Sequence, residues 1–344
     1  MKIFKYLLFL ILIVLIGGSI YVATKDGDYK FEESKVFNAP QEIVFKEVNN
    51  LQNWEYWDPW NQESDDLIIS YGDTLQGEGA VYYWESSKIG DTKITTLETQ
   101  PFSQITQKII LPHTFTNASS KMYWTFEALE NNQTKVTWGM EGKQSFKEKL
   151  SFLLSEESLQ EIMRPKFEKG LRKMQDVITN KMNEYSISVD GVVNHGGGYF
   201  MYTTTASKIS QVTEKMQPMI TEVANFMEAQ NIERIGNPFV LYNDWDQSGG
   251  TAIFSAGYFT PSEVITPMDA NVLNGNMPNQ KVLKAVLKGN YKNLEEAWNK
   301  AYQYIEENGL EVNEETKPFE VYLTNPEETP NPANWVTNIY IPVN

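Results

Sequence analysis

The sequence predicts an α+β protein in three segments, a transmembrane helix followed by two domains built from helices and antiparallel strands. Near the start of the chain, residues 6–24 form a run of 19 amino acids without a charged side chain. The region 28–185 contains many short runs of period-two alternation, followed by one long amphipathic run. The region 192–344 repeats a strand–helix–strand–strand pattern twice. The predicted segments are therefore an anchor at 1–25, a first domain at 28–185 and a second domain at 192–344.

The composition is acidic and excludes some classes of partner. Lys and Arg number 29 against 45 Asp and Glu, which gives a formal net charge of −16. Such a surface repels the phosphates of nucleic acids and the headgroups of anionic lipids, so we expect no nucleic-acid partner. A neutral or cationic small molecule is a more suitable ligand, although an acidic composition by itself usually serves only solubility. The hydrophobic share of 41% is large enough for packed cores.

Cysteine and histidine usage limits the available chemistry. The chain has no cysteine, which excludes disulfides, thiolate nucleophiles, cysteine zinc sites and a lipoprotein-type lipid anchor. Its two histidines, His113 and His195, are far apart in the sequence, which excludes a multi-histidine metal site and leaves little for Ser-His-Asp catalysis. We therefore predict no metal and no cofactor. His113 follows a proline between predicted strands, His195 lies in a predicted glycine-rich linker, and neither receives a role.

The uncharged run at residues 6–24 has the length of a helix that spans a bilayer. Lys2 and Lys5 precede it, while acidic residues follow from Asp26 onward. The positive-inside rule then predicts a single-pass protein with a cytoplasmic N-terminus and both domains on the extracytoplasmic side. The alternative is a signal peptide that is cleaved to leave a secreted protein. Because the run is long for a signal and Gly17–Ser19 is a weak cleavage site, we favour the retained anchor.

Strand and helix signals in the first domain follow a definite order. The stretch "KFEESKVF" has the pattern of a strand, and the amphipathic "PQEIVFKEVNN" predicts a short helix. Six alternating runs follow, bounded by Gly, Pro, Asn or Asp as antiparallel strands are. A long helix ends the domain, with an apolar face at Phe167, Leu171, Met174, Ile178 and Met182. A helix lying across an antiparallel sheet would enclose a cavity between them.

This order of elements, with "NWEYWDPW", "GEGAVYYWES" and "TKVTWGMEG", resembles the helix-grip superfamily of START and polyketide-cyclase-like (SRPBCC) domains. The resemblance covers most of residues 30–185. It implies binding of a lipid or hydrophobic small molecule between sheet and helix, and it implies no shared catalytic residue. Tyr82, Trp84 and Trp124 would line such a cavity if they face inward, although core filling is the default role of buried aromatic side chains.

The two halves of the second domain share a motif at a spacing of 80 residues. The first copy is "NPFVLYND" and the second is "KPFEVYLT", and each follows a predicted helix, at about residues 207–230 and 293–308. The second helix carries Trp298 on its apolar face. Two such halves imply a pseudo-twofold pair with a groove along its axis, where equivalent strands face each other. Glu320 stands where the first copy has Val240, so the groove should be symmetric in shape and asymmetric in charge.

The second domain resembles the GyrI-like effector-binding domain through "GNYKNLEEAWNKAYQYIEENGL", "PFEVYLTNP" and "NIYIPV", over about residues 192–344. That fold also occurs behind the DNA-binding part of AraC-type and multidrug-sensing regulators. The resemblance implies that Glu320 points into the groove and meets cationic aromatic ligands. Some relatives use the same glutamate as hydrolases of reactive small molecules. No helix-turn-helix precedes the domain here, so direct transcriptional control is not expected.

Glu320 on its own could equally be a solvent-facing strand residue. The duplication and the resemblance favour a groove carboxylate, which a ligand cation over aromatic faces would complement. Such faces could come from five side chains, each of which is individually more often a packing residue: Tyr322, Tyr242, Tyr291, Trp335 and Tyr340.

Three functions follow from these patterns. We favour a membrane-anchored binding protein for hydrophobic or cationic aromatic small molecules, acting as a sensor, carrier or sequestration module. The first alternative is a hydrolase that uses Glu320 as general base to activate water. The second is a structural protein at the membrane that binds a protein partner and has filled cavities. Neither a ligand nor a protein partner can be identified from the sequence.

Overall fold

The computed structural model of the chain divides into two compact units, Met1–Asn180 and Lys181–Asn344. Each unit combines helices with an antiparallel sheet of its own, in agreement with the predicted α+β class. His113 lies outside the described part of the chain. The structure describes residues 2–61, 63–110, 119–154, 157–267 and 270–344.

The first element, α1 (Lys2–Thr24), is an apolar helix. Its segment Ile3–Thr24 is long and apolar enough to cross a membrane, since 22 residues at about 1.5 Å per residue extend for about 33 Å. It is the single helix of this kind in the described part of the chain. A signal sequence has the same length and composition, so the helix supports either an anchor or a signal.

In its described residues, the remainder of unit 1 forms a seven-stranded antiparallel sheet and four helices, in the strand order β1-β7-β6-β5-β4-β3-β2. Its strands are β1 (Asp28–Phe37), β2 (Ile68–Tyr71), β3 (Val81–Glu85), β4 (Thr92–Gln100), β5 (Gln104–Ile110), β6 (Ser119–Leu129) and β7 (Gln133–Lys143). Its helices are α2 (Gln41–Asn49), α3 (Trp54–Trp57), α4 (Phe146–Leu154) and α5 (Leu159–Asn183).

The core of unit 1 lies between this sheet and α5. Phe167 of α5 stacks on Trp138 of β7 with ring centroids 4.1 Å apart, and it also packs against Phe31 of β1. Leu171 and Ile178 lie on the same face of the helix and are buried as well. The sequence therefore identified the face by which the long helix packs on the sheet.

Outside residues 268–269, unit 2 contains an eight-stranded antiparallel sheet and two α-helices, in the strand order β12-β9-β11-β10-β14-β15-β13-β8. Its strands are β8 (Ser186–His195), β9 (Gly198–Lys208), β10 (Ile235–Asp246), β11 (Thr251–Thr260), β12 (Leu273–Met277), β13 (Gln280–Lys288), β14 (Phe319–Tyr322) and β15 (Val336–Pro342). Its helices are α6 (Val212–Ala229) and α7 (Leu294–Glu307).

The two halves of unit 2 meet at β10 and β14, which are equivalent strands of the repeat and direct neighbours in the sheet. Val240 pairs with Glu320, and Phe239 pairs with Val321, as a local twofold axis through the central pair requires. The outer strands follow the same symmetry, with β11 and β9 on one side and β15 and β13 on the other. The prediction that equivalent strands face each other across a groove was therefore wrong, because they hydrogen-bond into one continuous sheet.

Both helices of unit 2 pack on the same face of this sheet. Helix α6 contacts β9 and β11, while α7 contacts β13, β8 and β15. Met216 and Ile220 of α6 share a core with Tyr322 of β14. Because side chains alternate along a strand, Glu320 shares this helix-covered face, whereas Phe319 points to the other face.

The sheet of unit 2 begins earlier than the predicted domain. Residues 186–191 fall between the predicted domains, yet they form the start of β8 because they pair with β13. His195 is the last residue of β8 rather than part of a linker. Its ring lies 4.9 Å from that of Phe319 and 5.3 Å from that of Tyr340. The glycines after it connect two strands of one sheet.

Gly257 of β11 lies where the neighbouring strand β9 approaches closely. A Cβ atom here would lie 1.9 Å from the carbonyl oxygen of Met201, so the backbone would have to move. We predict that Gly257→Ala destabilises unit 2 by about 1–3 kcal/mol, the range for overpacking. Urea unfolding of the full chain in detergent measures the loss. The matched variant Gly196→Ala meets no atom within 4 Å and should change the free energy by less than about 0.5 kcal/mol. Equal losses would contradict the prediction.

Candidate functional site

A buried carboxylate lies at the centre of unit 2, on the face of the sheet that carries α6 and α7. Glu320 of β14 is 0% exposed. It lies between Val240 of β10 and Ile339 of β15, which are fully buried too. This burial excludes a solvent-facing role for Glu320. A carboxylate in such a place requires hydrogen-bond donors, because its solvation by water is lost.

Both carboxylate oxygens of Glu320 have donors. The indole Nε1 of Trp298, on α7, donates to Oε1 at 2.6 Å, and the Tyr322 hydroxyl donates to Oε2. Tyr242 of β10 also interacts with the carboxylate, and its ring contacts Trp298 with centroids 5.6 Å apart. Three different elements thus contribute polar groups to one buried acid. No lysine or arginine forms an ion pair with it in the part of the chain that the structure describes.

The titration behaviour of the site follows from this burial. Desolvation raises the pKa of Glu320 above its ordinary value, and the hydrogen bonds from Tyr322, Trp298 and Tyr242 oppose the rise. Desolvation and then the charge of Glu320 raise the pKa values of Tyr242 and Tyr322 well above their usual range. The two phenols therefore stay neutral and can donate hydrogen bonds at physiological pH. A group that would complement the ionised carboxylate is a cation.

A pocket of about 130 Å³ is lined by residues of α6, β10, β11 and β14, and Glu320 is not one of them. Met216 and Ile220 of α6 form one wall, and Tyr258, Tyr291 and Tyr322 contribute aromatic surface. Tyr322 belongs both to the pocket wall and to the hydrogen bonds of Glu320. It therefore separates the pocket from the carboxylate.

Four of the predicted aromatic side chains come together near Glu320. Tyr291 lies 5.3 Å from Tyr322 and 4.6 Å from Trp335 between ring centroids. The indole of Trp335 is held by a hydrogen bond of 2.7 Å to the carbonyl of Thr329. Burial, with a smaller effect of the Glu320 charge, raises the pKa of Tyr291 to about 12. Tyr322 and Tyr242 contact the carboxylate itself, while Tyr291 and Trp335 extend the aromatic group away from it. Aromatic rings near a carboxylate suit a ligand cation.

The fifth aromatic residue, Tyr340, is not part of this group. It stacks on Phe319 with centroids 4.8 Å apart, and its hydroxyl accepts a hydrogen bond from Asn338 at 3.0 Å. Phe319 and Glu320 are consecutive in β14 and so point to opposite faces of the sheet. Tyr340 therefore packs behind the strand that carries the acid.

Sequence reasoning missed Trp298 as a member of the site. The spacing of α7 placed it on the apolar helix face, where its ring does pack. A buried indole needs an acceptor for its N–H, and a buried carboxylate needs donors. An indole donor and a carboxylate acceptor could therefore have been matched from the sequence. Whether Trp298 reaches Glu320, however, depends on how α7 lies on the sheet.

In unit 1 the predicted residues Tyr82, Trp84 and Trp124 form part of one aromatic cluster. Each is 2% exposed or less. Trp124 stacks on Trp138 with centroids 4.3 Å apart, and Tyr82 lies 5.6 Å from Trp84. The rings contact one another directly, so they form core packing in the interior of unit 1.

Some polar atoms of this aromatic cluster and of the neighbouring Asp58 have no hydrogen-bond partner among the described residues. Four buried polar atoms have no partner among the described residues: Trp57 Nε1, Trp84 Nε1, Trp138 Nε1 and Asp58 Oδ2. The other oxygen of Asp58 accepts the backbone N–H of Trp60 at 3.1 Å. Burial raises the pKa of Asp58 to about 7. The interior of unit 1 thus presents three donors and an acid that water or a small polar group could satisfy. The described residues contain no cluster of three or more potential metal ligands.

Comparison with known families identifies the second half of the chain. Residues 202–344 match the family described as GyrI-like small molecule binding domain. The match runs from within β9 to the end of the chain and confirms the predicted GyrI-like resemblance of this part. No curated protein matches the chain.

Several solved structures are distantly similar. The C-terminal domain of EcmrR is 18% identical, over 46% of this chain and 98% of that domain, with a TM-score of 0.37. A protein from Chromobacterium violaceum is 12% identical, over 43% of this chain and 96% of its own, with a TM-score of 0.34. EcmrR in a complex with DNA is 18% identical, over 56% of this chain and 75% of its own, with a TM-score of 0.39.

Removing the indole donor from Glu320 should destabilise unit 2. We predict that Trp298→Phe, which keeps the ring and loses the N–H, lowers the free energy of unfolding by about 1–3 kcal/mol, because a buried acceptor loses a partner. Urea unfolding of the full chain in detergent checks this. The matched variant is Trp245→Phe, since Trp245 is 45% exposed and donates to Gln247. It should cost less than about 0.5 kcal/mol. A loss no larger than that of the control would contradict the prediction.

Asp58 should make the stability of unit 1 depend on pH. Its pKa of about 7 in the folded unit exceeds the value of about 3.9 in an unfolded chain, so the folded state alone keeps the proton between these values. The stability from this group is complete below about pH 4 and is lost as pH rises to about 7. When the pH is raised from 5 to 8, we expect the free energy of unfolding of the parent to fall by about 2–3 kcal/mol more than that of Asp58→Asn.

Tryptophan fluorescence during urea unfolding measures this difference at the two pH values. The exposed Asp73→Asn variant is the matched control and should keep the pH dependence of the parent. A stability difference between the parent and Asp58→Asn that stays constant from pH 5 to pH 8 would refute the assignment.

Proposed function

We propose that this chain is a membrane-anchored binding protein whose GyrI-like domain takes a cationic or hydrophobic aromatic small molecule. The observation that carries this proposal is the fully buried Glu320, which has hydrogen-bond donors but no ion-pair partner among the described residues. One of those donors, Tyr322, also lines a pocket. A buried negative charge without a positive partner is energetically costly. A ligand cation near Tyr322 would lower that cost, and binding would then serve sensing, transport or sequestration.

The chemistry of the pocket supports an aromatic ligand. Tyr258, Tyr291 and Tyr322 contribute aromatic rings to the pocket wall, and α6 adds the apolar Met216 and Ile220. Apolar walls with a few placed polar groups are typical of small-molecule sites. A volume of about 130 Å³ suits a small head group, such as an aromatic ammonium, better than a large multi-ring dye.

The anchoring part of the proposal rests on α1 and the charges around it. The helix is long enough for a bilayer, and Lys2 and Lys5 lie at its start. With α1 retained as an anchor, both domains would be extracytoplasmic. The net charge of −16 disfavours binding to nucleic acids and is compatible with small-molecule ligands.

For the first domain, at 28–185, we propose the helix-grip (SRPBCC) fold and a second, hydrophobic ligand. The antiparallel order of its seven strands and the packing of α5 on the sheet support this fold. Tyr82, Trp84 and Trp124 would contact a ligand that enters between sheet and helix. The unpaired indole N–H of Trp84 favours a ligand with a hydrogen-bond acceptor.

A binding role suits Glu320 better than a hydrolytic one. A general base requires a raised pKa, which Glu320 has, and a free oxygen that reaches a water molecule. Both of its oxygens instead accept hydrogen bonds, from Trp298 and Tyr322. A purely structural role would leave no reason for a pocket lined by Tyr322, a hydrogen-bond donor to the acid.

Binding of a charged aromatic probe tests the proposal. We expect Glu320→Gln to weaken the binding of benzyltrimethylammonium to the full chain by about 1–3 kcal/mol, roughly 5- to 150-fold in Kd, because a charge partner is lost. Isothermal titration calorimetry in detergent gives the affinity. The uncharged isostere neopentylbenzene, measured by competition, should bind the parent and the variant almost equally.

Two controls separate charge pairing from a general defect. Glu306→Gln changes an exposed glutamate of α7 and should keep the affinity of the parent. The affinity of the parent for the cation should also fall as pH is lowered through the raised pKa of Glu320, whereas Glu320→Gln should show no such fall. Equal affinities of Glu320→Gln and the parent for the cation would overturn the proposal.

A further inference from the structure

Helix α4 carries an apolar face that the described part of the chain leaves uncovered. Phe146, Leu150 and Leu153 are 43%, 40% and 50% exposed. Their spacing of four and three residues places them within an arc of about 60° on one face of the helix. A helix of a water-soluble domain normally turns such a face toward the core. We therefore expect an apolar environment other than the core to cover this face.

The position of α4 indicates which environment that is. Helix α4 packs against α1. At the end of α1, Val22 is 2% exposed, whereas its neighbour Tyr21 is 52% exposed. The side chain of Lys149 on α4 donates to the carbonyl of Lys25, directly after α1. Helix α4, which carries the exposed apolar face, therefore lies against the end of the apolar helix.

The length of α1 sets the depth of this contact. Its apolar segment of 22 residues extends for about 33 Å, close to the roughly 30 Å of a hydrocarbon core. When α1 spans a bilayer, its last turn and Lys25 reach the boundary between acyl chains and headgroups. The exposed Lys147 borders the apolar face of α4. A lysine beside phenylalanine and leucine is typical of helices that lie in a membrane interface.

We propose that α4 is an interfacial helix, whose face of Phe146, Leu150 and Leu153 rests in the bilayer that α1 spans. This inference depends on the proposed membrane anchoring through α1. A second protein chain is a poorer occupant, because the three side chains expose about 250 Å² together, well below the roughly 800 Å² per partner of a stable protein interface. Contact with lipid would give unit 1 a second attachment and a defined orientation on the membrane surface.

The absence of cysteine makes site-specific labelling a direct test. The full chain in phosphatidylcholine nanodiscs is labelled with the fluorophore NBD at Leu150→Cys or, as a second position, Leu153→Cys. The matched control is Leu129→Cys, an exposed leucine at the end of β6. It pairs with Gln133 at the start of β7, about 33 Å along that strand from the end that leads to α4. We expect blue-shifted emission and quenching by lipids with a shallow spin label at both α4 positions, and neither effect at Leu129.

A label at Leu12→Cys, in the middle of α1, is read with lipids that carry the spin label deep in the acyl chain. It separates this inference from the anchoring on which it depends. Quenching at Leu12 without quenching at Leu150 and Leu153 would overturn the interfacial role of α4 and leave the anchor in place. Absence of quenching at all three would overturn both. A blue shift at Leu150 that does not respond to spin-labelled lipid would mean that protein covers the face, and this too would overturn the proposal.

Discussion

The burial of the Glu320 carboxylate is the constraint on which the rest of unit 2 depends. The acid has no ion-pair partner among the described residues, so its oxygens are satisfied by Trp298 of α7 and Tyr322 of β14, with Tyr242 of β10 close by. These contacts connect a helix to the two central strands. The phenols stay neutral, first because burial disfavours their charged form and then because ionising a tyrosine beside the carboxylate would place two negative charges together.

The local twofold symmetry explains why only one half carries the acid. Val240 and Glu320 are paired neighbours in the sheet, and the Cβ atoms of such pairs lie about 4.5–5.5 Å apart. A glutamate at both positions would bury two like charges at this distance, which is strongly unfavourable. The duplicated halves thus have symmetric backbones. Because Val240 stands where a second glutamate would be, the sheet can hold the single negative charge of Glu320.

The sequence allowed most of this site to be predicted, and its errors have clear physical causes. The motif shared by the two halves identified Glu320 and its neighbouring tyrosines. Tyr340 was placed in the same group, although it packs on the opposite face, because which face a strand residue uses depends on pairing register. Trp298 was missed because its role depends on where α7 lies on the sheet. His195 was assigned to a linker because glycines follow it, yet β8 pairs with β13.

By itself, the sequence determined the apolar helix, the α+β class, the duplicated halves and the single acid in one of two matching strands. These features depend on local periodicity and on comparison of one stretch with another, and both can be read along the chain. Only the tertiary structure decided that the matching strands are paired neighbours, that Glu320 is fully buried and that an indole from α7 binds it. These facts depend on contacts between segments that are distant in sequence. Such contacts form where they bury apolar surface and also satisfy the buried hydrogen-bonding groups.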